Sequence, residues 1–110
     1  MIVVEDGKSK GARRAQAGSF CAAAIRANRW DFRSLGTTLS LPYLAAGRIA
    51  AYALFSSSDV HSAAGSLLVT EAGGVLTDID GHPWALASTT MLASANQALH
   101  NDLLELAAAS

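Results

Sequence analysis

The sequence predicts a layered α/β domain, and three observations carry that expectation. Short apolar or β-branched runs alternate with longer alanine-rich segments of helical spacing. Glycine pairs and Asp-Gly steps fall between them, where the chain must turn. Half of the residues are hydrophobic (51%) and only 15% are charged, a composition that builds a core instead of remaining disordered.

The 110 residues suit one domain with one core, spanning 1–110. The net charge of −1 gives no footprint for nucleic acid or for an anionic membrane. The single cysteine, Cys21, excludes an internal disulfide and fits a reducing compartment such as the cytoplasm. The opening Met-Ile-Val-Val-Glu-Asp does not read as a signal peptide. No apolar run approaches the roughly 20 residues that span a bilayer.

In chain order, Ile2 to Glu5 reads as a strand because its residues are β-branched. Asp6 to Gly11 is a polar loop. Its lysines and backbone N–H groups suit an anion, but it lacks the spacing of a nucleotide-binding P-loop and reads first as a solvated turn. Ala12 to Asn28 predicts a helix with Gln16, Phe20, Ala23, Ala24 and Ala27 on one face, Arg13 and Arg14 in solvent, and Cys21 as a small buried hydrophobe. Trp30 to Leu35 is extended. Thr37 or Thr38 can cap a short helix carrying Leu41, Leu44 and Ala45, which Gly47 ends. Ile49 to Phe55 is a strand, with Tyr52 and Phe55 as packing residues.

Ser56 to Asp80 is the organising stretch, read as loop, helix, glycine turn and strand. Ser58 or Asp59 can cap the helix start. Val60, Ala64, Leu67, Leu68 and Glu71 share one helical face, apolar but for Glu71. Gly73-Gly74 ends the helix, Val75 to Ile79 is a strand, and Asp80-Gly81 turns it. Trp84 packs on the sheet, and Thr89 to Ala95 is the last strand. Asn96 caps a final helix lined by Leu99, Leu103, Leu106 and Ala107.

Ala63-Ala64-Gly65 and Glu71-Ala72-Gly73-Gly74 resemble the C-terminal signature of the inositol monophosphatase family at the family spacing. Arg33-Ser34-Leu35-Gly36-Thr37-Thr38 resembles its Arg-Ser-x-Gly-Ser/Thr-Ala segment. Leu44-Ala45-Ala46-Gly47-Arg48 through Tyr52 resembles the continuation, and Asp78 to Trp84 and Ala93 to Glu105 resemble the close. The resemblance implies an α-β-α sandwich with a mixed sheet, like the C-terminal half of an inositol monophosphatase or fructose bisphosphatase-type sugar phosphatase. Its implied activity is magnesium-dependent hydrolysis of a sugar or polyol phosphate monoester. Enzymes for inositol, histidinol, fructose and nucleotide phosphates share that scaffold.

The family's Glu-Glu pair and Asp-Pro-Ile-Asp-Gly motif, which bind magnesium, are not in these residues, and its Trp-Asp pair is replaced by Val60-His61. Magnesium prefers hard oxygen ligands, whereas imidazole suits transition metals. The resemblance aligns His61 with the family's carboxylate position, and Asp59 lies two residues upstream, so these two are the metal-side candidates that it implies. Asp59 reads first as a cap, and His61 as a polar residue of the first turn. Glu71 is expected to make structural hydrogen bonds, and Asp78 and Asp80, on one side of a strand, to shape the turn. No residue is assigned a catalytic role. The resemblance assigns substrate contact to Thr37 and Thr38, which would hold a polyol hydroxyl, with Arg33 orienting their loop and Ser9 as a further contact. The isolated chain is expected to be inactive or nearly so. The competing expectation is a non-catalytic interaction or oligomerisation domain, a homodimer or the complement of a separate N-terminal half, because a half-fold exposes apolar surface.

Overall fold

A five-stranded mixed sheet forms the middle layer, with helices on both faces. A computed structural model of the chain describes residues 1–5, 11–33, 44, 47, 49–55, 59–85 and 88–109, with the backbone alone at 59–64. The elements are β1 (Ile2–Glu5), α1 (Ala12–Ala27), β2 (Phe32–Arg33), β3 (Ala51–Leu54), α2 (Asp59–Glu71), β4 (Val75–Thr77), β5 (Met91–Ser94) and α3 (Gln97–Ala108). The strand order is β2-β1-β3-β5-β4. β1 pairs in parallel with β2 and β3, and β5 runs antiparallel to both β3 and β4. The layered fold with a mixed sheet is thus as expected.

The period of two along each strand divides the core. Ile2, Val4, Ala51, Ala53 and Leu92 point to one face, where Ala17, Phe20 and Ala24 of α1 and Leu103 and Ala107 of α3 cover them. Phe20 and Phe55 meet there with ring centroids 5.5 Å apart, tilted 56°. Val3, Tyr52, Leu54, Met91 and Ala93 point to the other face, against Val69 of α2 and Leu44, with Leu76 and Trp84 half-buried at the margin.

Local signals account for the element ends. Asn28 closes α1 in the left-handed conformation at φ 55°, and Asn96 caps α3 by accepting from the Leu99 N–H at 2.9 Å. At the end of α2, Gly74 N–H donates to the Val69 carbonyl at 2.9 Å and Gly73 N–H to the Thr70 carbonyl at 3.0 Å. Gly73 has φ 84°, so this is a Schellman ending. A Cβ on Gly74 would lie 2.7 Å from Val69 Cγ1 and 3.1 Å from the Ser94 carbonyl oxygen. Glycine here lets the helix end sit directly on β5.

The inward face of α2 is not the expected one. Gly65, Ser66 and Val69 are buried, while Leu67 is 60% exposed, Leu68 45% exposed, and Glu71 is in solvent. The side chains of Val60 and Ala64 lie outside the described residues. Small residues allow the helix close to the sheet, and hydropathy alone wrongly places the larger leucines inward. The strand expected over Val75 to Ile79 stops at Thr77, and Asp78 and Asp80 lie in the following turn.

Candidate functional site at the carboxyl edge of the sheet

β1, β2 and β3 run parallel, so Glu5, Arg33 and Leu54 end at one edge of the sheet. β4 ends at Thr77 on that same edge, because β5 pairs antiparallel to both β3 and β4. The connections to α1 and α2 leave from this edge, so both helices start there. In open α/β sheets ligands gather at such an edge, and helix starts offer unpaired N–H groups and partial positive charge.

Of the expected contacts, Arg33 ends β2, is exposed, and donates an Nη1 hydrogen bond to the Phe32 carbonyl at 2.9 Å. Ser9, Thr37 and Thr38 lie outside the described residues. Asp59 is the first residue of α2, and Ser58, the other capping candidate, lies outside the described residues. Asp59 and His61 both fall in the first turn of α2, about 200° apart around the axis. Their side chains are not among those described.

The turn after β4 is the best-defined part of the edge. Asp78 Oδ1 accepts from the N–H groups of Asp80 and His82, each at 2.9 Å. The Asp78 N–H donates to the His82 carbonyl at 2.8 Å, and Gly81 turns the chain at φ 92°. Asp78 therefore shapes the turn, as expected. Asp78, Asp80 and His82 bring ligand atoms within 4.8 Å of one another. His82 Nδ1 lies 3.5 Å from Asp78 Oδ2, and Arg13 Nη2 lies 3.8 Å from Asp80 Oδ2.

That cluster does not fit magnesium. One oxygen of Asp78 is committed to two backbone N–H groups, Asp80 already faces a guanidinium, and the third donor is an imidazole. Magnesium takes oxygen ligands in an octahedral set and binds imidazole poorly. Glu71, expected to be a structural hydrogen-bonding residue, is exposed, and its carboxylate makes no hydrogen bond among the described residues.

Two buried titratable groups lie near the edge. Burial, and then the charge of Glu5, push the Tyr52 hydroxyl up to about 12, so it remains a phenol at neutral pH. His100 is wholly buried, with Nδ1 2.8 Å from Ser94 Oγ and Nε2 2.8 Å from Thr77 Oγ1. Desolvation lowers its pKa. Ser94 beside His100 has the spacing of a nucleophile and its base, but Ser94 is 0% exposed and no substrate reaches it. Neither His82 nor His100 stands out in the sequence pattern. The only signal for His100 is its place on the inward stripe with Leu103 and Ala107.

The model of the inositol monophosphatase family matches residues 2–110, and the chain belongs to that family. Inositol-1-monophosphatase ImpA of Mycolicibacterium smegmatis is 40% identical over 70 residues, 64% of this chain and 25% of that protein. Nus factor SuhB of Pasteurella multocida is 41% identical over 66 residues, 59% of this chain and 25% of that one. The crystal structure of extragenic suppressor protein suhB from Bartonella henselae superposes with a TM-score of 0.81 at 23% identity. That superposition covers 96% of this chain and 40% of the other. The chain thus spans about a quarter of the length of these curated relatives.

Proposed function

We propose that this chain is a polyol- or sugar-phosphate-handling domain, spanning 1–110 and corresponding to the C-terminal half of the inositol monophosphatase fold, that cradles the alcohol part of a phosphate monoester. The observation that carries this reading is the common edge, where three parallel strands end and α1 and α2 begin. In this reading Thr37 and Thr38, which follow β2 in the sequence, hold a hydroxyl through side chain and backbone N–H. Arg33, the last residue of β2, would orient the segment, and Ser9 would add a contact. The ancestral activity is magnesium-dependent hydrolysis, in which the metal supplies an activated water and screens phosphate charge. Asp59 and His61 are the metal-side residues that remain. Two donors, one an imidazole, do not make a magnesium site, so this chain by itself binds without hydrolysing. A cytoplasmic location accords with the lone cysteine, and among the described residues no helix is long and apolar enough to cross a membrane.

Titrating inositol 1-phosphate while recording backbone amide spectra tests the binding. The expected shifts concentrate in residues 6–11 and 33–38 and disappear in a Thr37→Ala, Thr38→Ala double variant. Shifts spread over the whole sheet, or none at millimolar ligand, contradict the assignment.

A second reading rests on Leu67 and Leu68, exposed side by side on α2. That face would associate with a second copy or with a complementing N-terminal half of the family fold. Light scattering distinguishes it: a dimer supports association, and a clean monomer that also fails to bind a separately expressed N-terminal half removes it.

A further inference from the structure

Thr77 on β4, Ser94 on β5 and His100 on α3 form one connected polar group within the largely apolar layer beneath α1 and α3. Their protons can be assigned from geometry. Thr77 has one hydroxyl proton, and Oγ1 donates it to the Asp78 carbonyl at 2.7 Å. Thr77 can then only accept at its contact with His100 Nε2, so Nε2 carries a proton. The ring is wholly buried and its neighbours are hydroxyls, so it is neutral, and Nδ1 accepts from the Ser94 hydroxyl. A continuous chain of donors runs from Ser94 through His100 and Thr77 to the backbone of Asp78, the residue that shapes the exposed turn.

We propose that His100, neutral and protonated on Nε2, is an acid-sensitive latch that positions the Asp78–His82 turn on β5 and α3. Protonating Nδ1 would strip the Ser94 hydroxyl of its acceptor and place a charge that none of the described carboxylates meets. The charged groups on the elements around it are accounted for elsewhere. Asp78 and His82 face each other, Arg13 of α1 faces Asp80, and Arg29 beyond α1 bonds Asp102 at 2.8 Å. Arg14 and Arg26 of α1 and Glu105 of α3 are exposed, and none of these groups pairs with the imidazole. Because the folded form resists protonation, the unfolded chain takes up the proton first. The latch is fully effective above the ordinary imidazole value of about 6.5 and is lost as pH falls from there through the lowered folded value.

Nitrogen-detected NMR of the full chain reads the ring directly. The expected signature is a pyrrole-like Nε2 and a pyridine-like Nδ1, which persists at the ordinary imidazole midpoint of about 6.5. A proton on Nδ1, or titration at the ordinary value, overturns the proposal. His100→Gln supplies a donor toward Thr77 that cannot titrate. Acidification by one unit below that value should raise the opening equilibrium at Asp80 and His82, read from amide exchange after correction for the slower base-catalysed intrinsic rate, by up to roughly tenfold in the natural chain and not in His100→Gln. Equal acid responses in the two chains overturn it, and should the variant not fold, the ring spectrum decides alone.

Discussion

The two faces of the sheet are finished to different degrees. Under α1 and α3, Phe20, Phe55, Leu92 and Leu103 are each no more than 1% exposed, and even the polar members of that layer have partners. On the other face α2 turns Gly65, Ser66 and Val69 to the sheet and leaves Leu67 and Leu68 in solvent. Ile25 of α1 is exposed as well, but among the described residues only on α2 do two large apolar side chains in a row face solvent. Both faces hold fully buried residues, and the difference between them lies in how the covering helix is turned.

Phe20→Ala should have the largest effect. It removes a fully buried ring from the closed face and should lower unfolding free energy by about 3–5 kcal/mol, measured by urea denaturation. Gly74→Ala tests the close packing at the end of α2. Its Cβ would sit 2.7 Å from Val69 Cγ1 and close to two backbone oxygens, at a cost of about 1–3 kcal/mol. A neutral result would mean that the end of α2 can move away from β5. Asn96→Ala deletes the cap of α3 and should cost about 1 kcal/mol in the same assay. Replacing Leu67 and Leu68 together with serine should change monomer stability by no more than about 0.5 kcal/mol each, since neither is buried. Any self-association seen by light scattering should decline in that variant. A large loss of stability instead would show that the two leucines belong to the core.

Much of this was legible in the sequence, for identifiable reasons. The β-branched run at Ile2–Glu5, the Asn96 cap and the Gly73-Gly74 ending each reflect a local physical demand, and the structure meets each one. The inward face of α2 was not legible, because hydropathy assigns leucine to the interior and takes no account of what a small-residue face allows. The edge chemistry was legible only in part. Arg33 could be placed by its strand, whereas the pairing of His82 with Asp78 depends on how tightly Gly81 turns the chain. His100 was invisible because its partners, Thr77 and Ser94, come from two different strands, and only the β4–β5 register brings them to one ring.

Phosphate release by the purified chain, given magnesium and inositol 1-phosphate, tests the central claim most directly. Release no faster than in buffer is the expected result, since the described acidic cluster is unsuited to magnesium and Asp59 with His61 is too small a set. Turnover that requires magnesium and disappears on His61→Ala would contradict the account, for it would mean that these residues alone assemble a working metal centre.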